Sequence, residues 1–69
     1  MKTKETFSNN VKKYRQKNNL TQEELSEISG VAYKYIQKIE GKTTPNVGID
    51  LVEKLAKALK TTSSKLLES

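Results

Sequence analysis

The sequence predicts a single all-α domain of five helices that spans residues 1–69. Apolar residues recur at steps of three and four in successive segments, which is the spacing of one face of an α-helix. Residues typical of turns and helix starts separate these segments: Asn18 and Asn19, Gly30, Pro45, and the Thr and Ser residues at 61–64. A chain of 69 residues has room for one domain with a thin hydrophobic core.

The first helix is predicted over about residues 6–17. Phe7, Val11 and Tyr14 are four and three residues apart, and this spacing places them on one face of an amphipathic helix. The polar residues 1–5 are expected to be frayed. The first helix therefore offers one apolar face to the rest of the domain.

The stretch 21–41 is predicted to contain two short helices joined by a tight turn. Thr21 and Glu24 have the spacing of a capping box, in which each side chain accepts a hydrogen bond from the other residue's backbone amide. Leu20 precedes the cap and is placed to pack onto the first turn of that helix. Gly30 suits the turn, because glycine adopts a positive φ at no steric cost.

Three further apolar stripes follow the helical period and predict the rest of the core. They are Leu25 and Ile28 in the second helix, Ala32, Ile36 and Ile39 in the third, and Ile49, Val52, Leu55, Ala56 and Leu59 in a fourth helix over about residues 47–59. A short fifth helix is predicted over 64–68. Its Leu66 and Leu67 are predicted to pack back onto the core.

The composition excludes several classes of site. The chain contains no cysteine and no histidine, which removes disulfides, thiol nucleophiles and the commonest zinc ligands. It has no Gly-rich phosphate loop and no carboxylate cluster with metal-binding spacing, so we expect no enzyme, no cofactor and no metal site. No apolar run approaches the roughly 20 residues that span a bilayer. The N-terminus is too polar for a signal peptide, so we expect a cytoplasmic protein with neither a membrane nor a small-molecule partner.

The charge pattern favours a polyanionic partner. The net charge is +5 and the pI is about 9.6. The second helix is acidic, whereas the first helix is rich in basic residues and the third carries Lys34 and Lys38. On the third helix, long polar side chains lie opposite the apolar stripe: Tyr33, Lys34, Gln37 and Lys38. A polar helix face is usually just solvated, but a helix buried on one side with hydrogen-bonding cations on the other can also lie in the major groove of DNA.

Several residues in this order resemble the helix-turn-helix of the lambda-repressor and Cro-like regulators and of restriction-modification controller proteins. The matching residues are LTQEEL at 20–25, GV at 30–31, Ile36, IEGK at 39–42, Pro45 and LAKAL at 55–59. The resemblance extends over roughly residues 7–67. It implies a five-helix lambda-repressor-like fold and a transcriptional regulator, of repressor or controller type, that binds double-stranded DNA sequence-specifically.

The same resemblance assigns contacts with DNA. The base-reading positions are Tyr33, Lys34 and Lys38, with Gln37 on the same side of the helix. Lysine can donate to guanine, and glutamine can pair with adenine. Contacts with the DNA backbone position a protein without reading sequence. The resemblance assigns one to Gln22, and we expect others from Val31 and Ala32 and from the polar loop residues Lys42, Thr43, Thr44 and Asn46. Gln22 has a second interpretation, as a residue that only fills a polar position at a helix start.

Three features depart from the pattern of the family. Tyr33 stands where Gln, Ser or Arg is usual, and its ring can contact a thymine methyl or its hydroxyl a phosphate. Ala32 stands where Ser or Thr usually caps the third helix, although its methyl can also face a thymine. The segment from Glu40 to Pro45 is one residue shorter than usual, which leaves the path of that loop and its phosphate contacts open.

The resemblance also predicts one structural ion pair and one interface. Arg15 is expected to pair with Glu40 at the end of the third helix; the alternative is that Arg15 reaches a phosphate. The fourth and fifth helices are expected to form a homodimer interface. Two-fold symmetry would place the two third helices about 34 Å apart on a pseudo-palindromic operator.

Two other functions fit the same residues. The domain can be a DNA-binding antitoxin or another protein-interaction module within a larger complex, and the acidic second helix fits that alternative. It can also be the N-terminal fragment of a phage-type repressor.

Overall fold

The structure, a computed structural model, describes residues 3–41 and 47–68. Five helices follow one another, and the described residues contain no strand. The helices are α1 (Thr3–Lys17), α2 (Gln22–Ser29), α3 (Tyr33–Glu40), α4 (Ile49–Ala58) and α5 (Ser63–Leu67). The all-α fold predicted from the apolar periodicity is therefore confirmed.

The start of α1 lies earlier in the chain than predicted. Residues 3–5 are helical rather than frayed, and Glu5 lies in the first turn, where a carboxylate interacts favourably with the helix dipole. The helix ends as the sequence predicts, because Asn19 adopts a left-handed φ of 57°. The Leu20 amide then donates to the Arg15 carbonyl at 3.0 Å, and this bond directs the chain toward α2.

Every helix contributes to one continuous core. Its buried members are Phe7, Val11, Leu25, Val31, Ile36, Ile39, Val52, Leu55, Ala56, Leu59 and Leu66. α1 packs against α3 and α5, while α2 packs against α3 and α4. α5 also packs against α4. The buried side of α3 therefore faces α1 and α2, and its opposite side remains in solvent.

Three large apolar side chains of the predicted helices lie outside this core. Ile28 is 57% exposed, Ile49 is 61% exposed and Leu67 is 41% exposed. Three residues turn a helix by about 300°, so Ile28 is rotated by about 60° from the buried Leu25. Ala32 is also exposed, because it caps α3 from outside the helix. The prediction that Ile28, Ile49 and Ala32 belong to the core is therefore wrong. The same holds for Leu67.

Two asparagines on or just after α1 hold the ends of other helices. The Asn10 Nδ2 donates to the Leu66 carbonyl at 2.9 Å and to the Glu68 carbonyl at 2.6 Å. The Asn18 Nδ2 donates to the Leu59 carbonyl at 3.1 Å. These bonds satisfy carbonyls at helix ends that have no partner within their own helix. Neither role was predicted from the sequence.

Candidate nucleic-acid interface

The N-terminus of α2 is built by the predicted capping box. The Glu24 amide donates to the Thr21 Oγ1 at 3.0 Å, and the Thr21 amide donates to the Glu24 Oε1 at 2.9 Å. Within residues 3–41 and 47–68, the amides of Gln22 and Glu23 have no acceptor. Free amides at a helix start attract anions, because they lie at the positive end of the helix dipole.

The turn between α2 and α3 is held by a glycine and two serines. Gly30 has φ 76°, as predicted, and its amide donates to the Ser26 carbonyl. The Ser26 Oγ donates to the Val31 carbonyl at 2.6 Å, and the Val31 amide donates to the Ser29 Oγ at 3.2 Å. Ser26 thus fixes the turn through its hydroxyl.

Val31 is buried at the turn between α2 and α3. Its side chain is 4% exposed and belongs to the core, and both of its backbone polar groups are already bonded to serines. The structure therefore does not support the prediction that Val31 contacts the DNA backbone. Ala32 is the N-cap of α3 with no side-chain hydrogen bond, as expected for a residue without a hydroxyl, and it is exposed beside this turn.

The predicted base-reading residues lie together on the solvent side of α3. Ile36 and Ile39 are buried on one side of α3. The polar residues on the other side are three and four positions apart, and residues with this spacing are neighbours on a helix surface. The exposed members are Tyr33, Lys34, Gln37 and Lys38. We call these four residues the α3 polar face. Tyr35 is partly buried against the core.

The predicted ion pair connects the end of α1 with the end of α3. The Arg15 Nε donates to the Glu40 Oε2 at 2.7 Å, and the Nη2 donates to the Oε1 at 2.9 Å. The Nη1 donates to the Leu20 carbonyl at 2.7 Å. The hydrogen bond with Glu40 raises the pKa of Arg15 above its ordinary value, against the opposing effect of burial. Arg15 is thus used within the fold, not as a free cation for phosphate.

Gln22 joins the same cluster. Its Nε2 donates to the Glu40 Oε1 at 3.2 Å, so the first residue of α2 is linked to the last residue of α3. The sequence offered two roles for Gln22, and neither included this contact. The sequence pattern does not indicate this contact, because 18 residues separate Gln22 from Glu40 in the chain.

The remaining site predictions lie outside the described residues. Lys42, Thr43, Thr44 and Asn46 belong to the segment between α3 and α4 that the structure does not describe. Among residues 3–41 and 47–68, no group of His, Cys, Asp or Glu side chains could hold a metal ion. No helix in that part of the chain is long and apolar enough to cross a membrane.

Comparisons with known proteins agree with this geometry. A helix-turn-helix family model matches residues 11–66. The control protein C.SmaI of Serratia marcescens is 48% identical over 67 residues, which are 97% of this chain and 79% of that protein.

Two solved structures have the same fold. The restriction-modification controller protein C.AhdI from Aeromonas hydrophila superposes with a TM-score of 0.81 at 30% identity, over 88% of this chain and 91% of that one. A hypothetical transcription factor, NHTF from Neisseria, superposes with a TM-score of 0.89 at 26% identity, over 96% of this chain and 75% of that one. The chain therefore belongs to the helix-turn-helix family of DNA-binding transcription regulators of the lambda-repressor and Cro type.

Proposed function

We propose that this protein is a controller-type regulator that binds duplex DNA as a homodimer, with α3 in the major groove. One observation carries the proposal. All four residues of the α3 polar face are exposed, while Ile36 and Ile39 hold the opposite side of the same helix in the core. The names of the similar Serratia and Aeromonas proteins support the controller type.

The residues of the α3 polar face have different tasks in this proposal. Lys34 and Lys38 donate to guanine O6 and N7, and Gln37 pairs with an adenine edge. Tyr33, which is 40% exposed at the start of α3, contacts a thymine methyl or the sugar-phosphate backbone. Together they supply base recognition.

Contacts with the DNA backbone come from residues outside the α3 polar face. The N-terminus of α2 and the Gln22 side chain bind a phosphate, and Lys42, Thr43, Thr44 and Asn46 contact the backbone beyond α3. The methyl group of Ala32 approaches DNA beside the turn. These contacts position α3 and apply to every DNA sequence alike.

The homodimer forms through α4 and α5. Each of these helices leaves a large apolar side chain in solvent: Ile49 is 61% exposed and Leu67 is 41% exposed. Covering such side chains with a second copy stabilises the pair. A two-fold axis would place the two α3 helices about 34 Å apart, which matches successive major grooves on a pseudo-palindromic operator. The regulator acts in the cytoplasm on the DNA that it binds.

The experiment that tests this function uses fluorescence anisotropy with tiled duplexes from the DNA upstream of the protein's own gene. Each tile is measured at two salt concentrations beside a random duplex. We expect one tile to bind far more tightly than the random duplex, with a salt slope that counts the contacted phosphates. Equal, weak and steeply salt-dependent binding of every tile would contradict the proposal.

A further inference from the structure

Glu40 accepts hydrogen bonds from two different helices. Its side chain is 3% exposed, and its Oε2 accepts from Arg15 while its Oε1 accepts from both Arg15 and Gln22. The carboxylate therefore connects the end of α1, the start of α2 and the end of α3. Ion pairing explains the contact with Arg15 but not the contact with Gln22, which is neutral.

The chemistry of this contact determines how the Gln22 carboxamide is turned. A carboxylate bound to a guanidinium offers only acceptors, so the carboxamide must present its Nε2 rather than its oxygen. One N–H of that nitrogen is donated to the Glu40 Oε1. The nitrogen carries a second N–H, which is left for another acceptor.

The residue that carries this second N–H stands at the start of α2. Gln22 is the first residue of the helix and is partly exposed, next to backbone amides that have no acceptor among the described residues. A phosphate drawn to these amides would meet the Gln22 nitrogen as an additional donor. If the carboxamide were reversed, its oxygen would meet the phosphate and repel it.

We propose that Glu40 is a positioning residue for DNA binding, which holds the Gln22 carboxamide with its free N–H toward a DNA phosphate. The inference rests on the proposed function, because it requires that the start of α2 faces the DNA backbone. It assigns Glu40 a task in binding beside its role in the ion pair. Gln22 makes the contact, and Glu40 acts through Gln22.

Replacing Glu40 by glutamine separates this task from simple electrostatics. The substitution removes a negative charge near DNA, and charge alone would tighten binding. A glutamine at this position offers both an oxygen and a nitrogen to Gln22, so the carboxamide is no longer held in one orientation. The orienting role therefore predicts weaker binding, which is the opposite sign.

The test compares Gln22→Ala, Glu40→Gln and the double variant with the unaltered protein. Affinity for a random-sequence duplex is measured over a salt series and normalised to the folded fraction from circular dichroism. We expect Gln22→Ala to weaken binding roughly tenfold, the order expected for a hydrogen bond to a charged group, without changing the salt slope, because glutamine is neutral. Glu40→Gln should also weaken binding, and the double variant should bind no more weakly than Gln22→Ala.

Gln16→Ala is the matched control, because Gln16 is an exposed glutamine on α1. It should leave affinity unchanged. Unaltered affinity in Gln22→Ala, tighter binding in Glu40→Gln, or additive losses in the double variant would each overturn the inference. If the unaltered protein bound no duplex, the proposed function itself would fail, and this result is distinct from the other three.

A second measurement keeps the inference testable if Glu40→Gln does not fold. The two carboxamide protons of Gln22 are observed by NMR in the unaltered protein and identified by their loss in Gln22→Ala. On addition of the duplex, one proton should shift strongly while the proton bound to Glu40 shifts little. Equal movement of both protons, or movement of neither, would contradict the orienting role.

Discussion

The α2–α3 unit and the α4–α5 unit are held in place by different kinds of interaction. Around α2 and α3, side-chain hydrogen bonds dominate: the capping box, the serines of the turn, and the cluster of Arg15, Gln22 and Glu40. Around α4 and α5, the buried side chains of Val52, Leu55, Ala56, Leu59 and Leu66 pack into the core, and no side chain caps the start of α4. The side-chain hydrogen bonds of this unit, which involve Asn10, Asn18 and Thr62, all go to backbone groups at helix ends.

This difference matches the partner that we propose for each unit. Hydrogen bonds have direction, so they fix the angle between the N-terminus of α2 and the α3 polar face, and DNA recognition needs that angle. Apolar packing has no direction, and the α4–α5 unit leaves Ile49 and Leu67 exposed for a partner that supplies more apolar surface. The first unit is suited to a polyanion and the second to another copy of the chain.

The largest effect is expected from breaking the polar cluster. Arg15→Ala leaves the nearly buried Glu40 carboxylate without its cation, and loss of one partner from such a pair costs about 3–5 kcal/mol. Thermal and urea unfolding should show this loss, whereas Lys13→Ala, an exposed cation on the same helix, should change stability little. Unchanged stability combined with weaker DNA binding would instead make Arg15 a phosphate contact.

The next effect concerns the α3 polar face. Lys34→Ala and Lys38→Ala should each weaken binding to the specific operator by about 1–3 kcal/mol and relax base preference. Both residues are exposed, so the free energy of unfolding should stay nearly constant. Anisotropy on the operator and on single-base variants measures both quantities, with Lys13→Ala as the control of equal charge. If Lys34→Ala altered neither affinity nor preference, the assignment of this face would be wrong.

A somewhat smaller effect is expected on dimer formation. Ile49→Ser should weaken self-association by about 2 kcal/mol, because each residue occurs twice in an interface with two-fold symmetry. Ile28→Ser is a closely matched control, since Ile28 is 57% exposed and Ile49 is 61% exposed, but Ile28 lies on α2. Sedimentation equilibrium gives the dimerisation constants. Equal effects of the two variants would argue against an interface through α4 and α5.

The smallest effect should come from restoring a missing cap. Ala32→Ser supplies a hydroxyl at the N-cap of α3, where the structure shows no side-chain hydrogen bond, and should stabilise the domain by about 1 kcal/mol. The melting temperature measures the gain. A lower melting temperature would mean that the exposed methyl of Ala32 stabilises the fold more than the added cap does.

Local signals in the sequence predicted a large part of this molecule. The capping box at Thr21, the left-handed Gly30 and the polar face opposite Ile36 each depend on residues within about one helical turn. The ion pair of Arg15 and Glu40 was reached differently, through the resemblance to a family, because 25 residues separate its members in the chain.

By itself, the sequence determined the five helices, the turn between α2 and α3, and the side chains that α3 offers to a partner, because these follow from neighbouring residues and helical periodicity. Only the tertiary structure decided which apolar residues near the ends of the helices are buried and which are exposed. Ile28 and Ile49 are exposed and Val31 is buried because of where other helices lie. The contact of Gln22 with Glu40 and the bonds of Asn10 and Asn18 to distant carbonyls were likewise decided by packing, since each joins atoms that only the folded chain brings together.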